Sequence, residues 1–397
     1  MNSKERMGKA MSHQQPDVIP VDLFPGTEYM CRVSGVPDYE FLYGDGKRRA
    51  EAHVATAQKH KVDAIVIWAM GRTKQWRKEH HVEVGPDEAW LVNHETGERF
   101  RLSQDYYAVY RDTPPPLTAP LHMDAEFEYL VKGQQYYGMR KLDIRTKKDV
   151  DRLLPLEKVD SVLERGSRDT IKAVVDLCAE GEFFIEVGAA GSIFRFAVGL
   201  LGFEEGMIFM HEQPAVFHYL MQRMTEQHIE YAKAARAYGA DGLHAGEVWT
   251  GSDLLSAKDY DEFCLPYNKT FVQEAHNIGL TVKWYFTGNV MPRLHQLVEL
   301  QADALMVEES FGIDIGRVRD VVGDRLCLLG NVDAINLLKT GTPEQIAAEV
   351  KRQIAAGAKK GPFIMGTGSE IAVSTPPENV NALVEATREF GRYPLKF

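Results

Sequence analysis

Polar groups capable of chemistry close a series of short apolar runs in this 397-residue chain. In "TVKWYFTGN" (281–289), Lys283, Tyr285 and Thr287 recur at a period of two. An extended strand would put them on one face and Val282, Trp284 and Phe286 on the other. His244 and Glu247 close "GLHAGEV", and Glu308 and Glu309 close "DALMVEES". Asn331 and Asp333 close "LCLLGNVD", and Thr367, Ser369 and Glu370 close "PFIMGTGSEI"; Asp22 and Glu186 occupy comparable places. Carboxylates brought together in a low-dielectric cleft raise one another's pKa or gather a cation. A phenol or an ammonium among them adds a proton donor or an anchor for an anion. The set reads as one functional face.

Those groups need elements to position them. Eight apolar runs of strand length, at 18–24, 63–70, 183–189, 242–248, 281–288, 303–310, 326–333 and 362–371, alternate with helical stretches. The helices carry clear signals. Ser256 stands three residues before Asp259 in a near capping box, Pro266 should bend or divide the helix that follows, and Thr342-Pro343 opens a helix that stops at Gly357. The alternation predicts an α/β fold, a (β/α)8 TIM barrel, whose active site lies at the C-terminal strand ends. No glycine-rich phosphate loop supports a doubly wound sheet instead.

Residues 77 to 145 break the alternation. Two alternating strands around "HETGE" and then a proline run predict a β-hairpin insertion over the barrel mouth. Its aromatics Trp90, Phe100, Tyr106, Tyr107 and Tyr110 would wall a pocket or anchor the hairpin. Residues 1–15 are polar and read as a flexible extension, leaving 16–397 as a single barrel domain. His80, His81, His211 and His218 are expected at the surface or satisfied within helices.

Composition narrows the function. Hydrophobic residues make up 44% and charged residues 26%, an ordinary globular balance. A net charge of −11 argues against nucleic acid and against a polyanionic substrate without a local basic cleft. Cys31, Cys178, Cys264 and Cys327 are widely spaced, the profile of a reduced cytoplasmic protein. No apolar run approaches the roughly 18 residues that span a bilayer. The sequence contains no His-Glu-x-x-His, nucleophile-elbow or EF-hand motif.

The segments "YGADGLHAGE", "LLSAKDYDEFCLPYNK", "LLGNVDAINLLKTGTPEQI" and "STPPENVNALVEATREF" resemble the uroporphyrinogen decarboxylase superfamily, which also contains the corrinoid-dependent methyltransferases. The resemblance implies a (β/α)8 barrel. Decarboxylases of uroporphyrinogen carry an arginine-rich first loop and an Asp after the second strand. Here Arg32 is the sole cation of "FPGTEYMCRVSG", and Met70 stands about where the Asp belongs. One arginine cannot offset eight substrate carboxylates.

Thiol-activating methyltransferases of the superfamily hold zinc on a His-x-Cys and a later Cys; the matching positions here are Tyr285, Thr287 and Ser369. The remaining branch demethylates aryl methyl ethers and similar compounds, passing the methyl group to the corrinoid (cobalamin) of a partner protein. Its members are thought to bind zinc through glutamates and a histidine. Glu247 and Glu262 are the candidate ligands, but Lys283 and Tyr285 stand where the histidine is expected.

The expectation is therefore a methyltransferase for a small O-methyl compound, with a corrinoid protein as partner and zinc left open. Glu247, Tyr285, Lys283 and Glu309 are the candidate catalytic residues, and His244, Thr287, Asn331, Ser369 and Glu370 the candidate substrate contacts. The alternative is a decarboxylase or lyase of a small organic acid on the same barrel. Neither nucleic acid nor membrane is an expected partner, and a homodimer is the assembly considered.

Overall fold

The computed structural model describes residues 1–68, 71–86, 88–102, 141–190 and 192–396, together with the backbone of short strands at 110–111, 129–131 and 134–136. The expected apolar runs build a parallel seven-stranded sheet from β1 (Ala64–Ile67), β8 (Phe184–Ala190), β9 (Gly242–Glu247), β10 (Thr281–Phe286), β11 (Ala304–Val307), β12 (Cys327–Leu329) and β13 (Phe363–Ile364), in that order. The run at 18–24 is held by backbone hydrogen bonds to both edges. Met365 donates to the Pro20 carbonyl and Asp22 to the Met365 carbonyl, each at 2.9 Å, while Asp63 donates to the Val21 carbonyl at 2.8 Å. The eighth segment thus joins β13 to β1, giving a TIM-barrel-like fold.

Strand alternation separates two environments. On β10, Val282, Trp284 and Phe286 enter the large hydrophobic core shared with the surrounding helices. The opposite face looks into the barrel, where Ala64, Phe184, Ala304, Met306, Cys327, Leu329 and Ile364 form a separate apolar cluster. Helix signals mostly behave as expected. Thr342 closes a full capping box with Gln345, and Ser256 accepts from the Asp259 amide at 3.0 Å. The chain around Pro266 forms two helices, Ala257–Phe263 and Leu265–Asn277.

Residues 1–15 differ from the expected loose extension. Ser3–Met11 is a helix with an Asn2–Glu5 capping box, and Met7, Ala10 and Met11 are buried in the inner apolar cluster. Arg6 ties it down through Asp17 at 2.8 Å and Asp63 at 2.6 Å. Its polar composition concealed an amphipathic face of three small or flexible side chains that fill the barrel floor.

Between β1 and β8 lie β2 (His80–Val84), β3 (Ala89–Asn93) and β4 (Arg99–Arg101), an antiparallel sheet containing the expected "HETGE" hairpin. A second small sheet follows, with β5 (Tyr110–Arg111), β6 (Tyr129–Val131) and β7 (Gln134–Tyr136). The hairpin packs Ala89, Leu91, Leu102 and Phe100 against Tyr43, Leu42 and Tyr39 around the helix Asp38–Tyr43. Trp90 lies under the Arg99 guanidinium at 5.4 Å. These two aromatics therefore anchor and cover the hairpin itself. Met70, Tyr106 and Tyr107 lie outside the described residues, as does the side chain of Tyr110.

Candidate functional site at the C-terminal end of the barrel

The lumen is layered, and strand register explains the layers. Lys283 pairs across the ladder with His244, and both side chains share the inner face with Glu186, which pairs with Gly242. Asp22 reaches the same level from the closing segment. The Lys283 ammonium contacts Asp22 Oδ2 and Glu186 Oε2, with all three side chains at most 1% exposed. Burial pushes the Glu186 carboxyl up to about 8; Lys283 opposes that rise and Asp22 adds to it. Burial also works against the Lys283 ammonium, but the two carboxylates outweigh it and lift the lysine above its ordinary value. With Glu186 protonated the trio is neutral, and its cation is fully engaged.

Rings stand above the trio. His244 lies 4.5 Å from Trp68, 5.6 Å from Phe24 and 5.8 Å from Tyr285, measured between ring centroids. It is fully buried, and neither ring nitrogen has a hydrogen-bond partner. Burial, reinforced by the adjacent Lys283 charge, holds its pKa well below the usual histidine value, so the ring is neutral. Trp68 fits across β8 because Gly188 leaves it room; a Cβ there would lie 2.6 Å from the indole.

The mouth is acidic. Tyr285 donates to Glu308 Oε1 at 3.2 Å, while Glu308 Oε2 accepts from the Gly288 amide at 2.8 Å and from Ser310 at 2.9 Å. Ser369 donates to Glu309 Oε1 at 2.6 Å, but Glu309 Oε2 is buried without a partner. Burial raises the Glu309 pKa, with Ser369 opposing the rise. Gly368 permits this approach, since a Cβ there would sit 2.6 Å from the Glu309 amide. Burial and then Glu308 hold the Tyr285 hydroxyl above its ordinary pKa, with Glu309 and Glu370 adding to the effect.

The structure therefore brings together Lys283, His244, Tyr285, Glu309 and Ser369. Other expected residues are placed differently. Glu247 pairs with Phe286 and so faces the helices, not the lumen. It accepts from Asn268 at 2.6 Å, Tyr260 at 2.7 Å and Trp284 at 3.3 Å, and burial pushes its pKa up to about 7. Its assignment to the lumen fails by one step of strand alternation. Glu262 is 44% exposed and lies 3.8 Å from His218, so the candidate metal pair is not assembled. Thr287 donates to the Glu247 carbonyl at 3.1 Å, and Asn331 to the Ile313 carbonyl at 2.9 Å; both brace loops. Glu370 is exposed and lines a cleft of about 1060 Å³ with Ser369, Arg32 and Val36.

Zinc does not suit this donor set. Tyr285 is held as a neutral phenol, the Thr287 and Ser369 hydroxyls are committed to protein acceptors, and the two glutamates lie elsewhere. Among the described residues no group of three His, Cys, Asp or Glu side chains is placed to hold a metal ion. Sequence reading left Phe24 and Trp68 out of the site. Their signal was available: each follows an inward residue, Asp22 or Val66, by two positions.

A profile of the family described as Uroporphyrinogen decarboxylase (URO-D) matches residues 136–390. The chain belongs to this family. It is 32% identical over 212 residues to a uroporphyrinogen decarboxylase of Chlorobium luteolum, a match covering 51% of this chain and 58% of that relative. The chain thus spans a little over half the length of that curated relative. A uroporphyrinogen decarboxylase of Anaeromyxobacter dehalogenans is 27% identical over 85% of this chain and 98% of its own. Among solved structures, a methyltransferase from Methanosarcina mazei shares the fold with a TM-score of 0.66 and 20% identity, covering 98% of this chain and 99% of that one. No helix among the described residues is long and apolar enough to cross a membrane.

Proposed function

We propose that this chain is a methyltransferase that removes the methyl group from a small O-methyl compound, aryl methyl ethers first, and passes it to the Co(I) corrinoid of a partner protein. The observation that carries this reading is the layered lumen. A charge-compensated lysine lies beneath an aromatic wall, and a half-buried carboxyl group with one unpartnered oxygen stands near the mouth. The Methanosarcina methyltransferase, which shares the fold end to end, lends support.

The partner's corrinoid supplies the nucleophile. The chain's own residues then have two tasks. Phe24, Trp68 and Tyr285 offer an apolar wall for a flat substrate. Breaking an O-methyl bond expels a phenolate or alkoxide that must gain a proton. Glu309 would supply it: burial shifts its carboxyl toward the protonated form, and Oε2 has no hydrogen-bond partner. Tyr285 is the weaker candidate, since its hydroxyl donates to Glu308 and its pKa is raised.

Decarboxylation of a small acid is less well supported. It would want a cation free to meet the substrate carboxylate, and Lys283 is held by Asp22 and Glu186. The two readings separate in one experiment: incubate the protein anaerobically with cob(I)alamin and a panel of methoxyaromatics, and assay a panel of small acids for CO2. Demethylated product with no CO2 supports the methyltransferase. CO2 release independent of cobalamin would overturn it.

A further inference from the structure

On the helix side of the barrel wall lies a small cavity that the proposed chemistry does not use. The helices Gly46–His60 and Thr27–Ser34 and strand β1 bound it, and Leu23 and Pro25 flank it from the segment that delivers Phe24 to the lumen. About 20 Å³ of it is open to the centre of a water-sized molecule. One water needs about 10–15 Å³ on that measure. Two of the lining side chains are left wanting. His53 is 2% exposed and Thr56 4% exposed, and His53 Nε2 and Thr56 Oγ1 have no hydrogen-bond partner among the described residues. Three positions apart on one helix, they lie on the same face. A buried polar atom left dry is costly, and folded proteins satisfy nearly all of them.

A third group is half committed. His60 Nδ1 donates to Asn381 Oδ1 at 2.8 Å, which leaves Nε2 to accept from the Tyr29 hydroxyl at 2.9 Å. The Tyr29 oxygen has then spent its proton and offers the cavity only a lone pair. Burial holds the His53 pKa down to about 4, so the ring that lines the cavity is neutral.

We infer that this cavity is a binding site for one structural water, which bridges His53 and Thr56 on one helix to Tyr29 on the other. The groups present select for it. A cation finds no counter-charge, because no carboxylate is among the described lining residues and the Arg49 charge acts on His53. An anion would meet the Tyr29 lone pair. An apolar guest would leave all three groups unsatisfied. Water is small enough, and it donates and accepts at once, which suits either tautomer of His53.

A high-resolution crystal structure of the full chain tests this. One ordered water should lie about 2.7–3.2 Å from both His53 Nε2 and Thr56 Oγ1. Xenon-pressurised crystals should show no xenon at this place, since xenon enters dry apolar space. Thr56→Val, nearly the same size without the hydroxyl, should lose the water, while Thr56→Ser should keep it. In solution, magnetic relaxation dispersion of water oxygen should count one long-lived water fewer in Thr56→Val than in the parent, with circular dichroism confirming the fold. Xenon in the parent cavity would overturn the inference, as would a direct His53–Thr56 hydrogen bond with no water, or an unchanged water in Thr56→Val.

Discussion

His244 lies directly across the ladder from Lys283, and this pairing sets the electrostatics of the lumen. Burial, reinforced by the ammonium, keeps the imidazole neutral, while Asp22 and Glu186 keep the ammonium compensated. The result is an uncharged lower lumen beneath an acidic mouth. On the proposed function, a substrate would meet ring faces below and carboxyl groups at the rim.

The buried trio makes Lys283 a stability determinant. Lys283→Met leaves two carboxylates in a dry lumen without their cation, and removing one partner of a buried pair costs about 3–5 kcal/mol. Urea unfolding should show that loss. Replacing all three residues with apolar ones (Lys283→Met, Asp22→Leu and Glu186→Met) should recover most of it, because apolar substitutes for a buried ion cluster are often tolerated. A single variant as stable as the parent would mean the trio is not buried as described.

Glu247 should leave a signature in the pH dependence of stability. Its folded pKa of about 7 lies above the ordinary 4.5, so the folded state keeps a proton that the unfolded chain has lost. The proton's contribution is complete below about 4.5 and disappears as pH rises through 7, with a slope on the order of 1 kcal/mol per pH unit. Glu247→Gln should flatten that fall. Burial lowers His53 to about 4, which acts in the opposite sense below 6.5, but this term is common to both proteins and cancels in the difference. Identical pH profiles would contradict the burial of Glu247.

Ser369 positions Glu309. Ser369→Ala removes the 2.6 Å hydrogen bond and leaves Glu309 Oε1 with only the Ala334 amide at 3.4 Å. A lost hydrogen bond between neutral groups is worth about 0.5–1.5 kcal/mol, so misplacing the carboxyl should lower kcat/KM for an O-methyl substrate by up to about tenfold. Unfolding free energy should fall by no more than about 1.5 kcal/mol, the worth of that one bond. Unchanged kcat/KM would remove Glu309 from the chemistry.

Much of this architecture was legible in the chain because it rests on local signals. The apolar runs, the Thr342 cap and the Pro266 division are short-range features, and each formed where expected. The site was legible in outline only. Period two correctly placed Lys283, Tyr285 and His244 on one face, but three residues past His244 the same rule turns Glu247 outward, and its position at the strand end disguised this. Glu262 seemed related to Glu247 by spacing, yet spacing does not report that one is buried beneath helices and the other faces solvent. The N-terminal helix was missed because its three buried residues make sense only against a barrel floor contributed by distant strands. Phe24 and Trp68 looked like core, since nothing local separates a ring lining a lumen from one packed under a helix.

Methyl transfer from a small donor in this lumen is open to direct measurement. The measurement that meets it most directly is anaerobic absorbance spectroscopy of cob(I)alamin mixed with the protein and a methoxyaromatic panel. Conversion to methylcobalamin with at least one donor is expected, together with equimolar phenol product, and Glu309→Gln should lose that conversion. A Co(I) spectrum unchanged across the whole panel would contradict it.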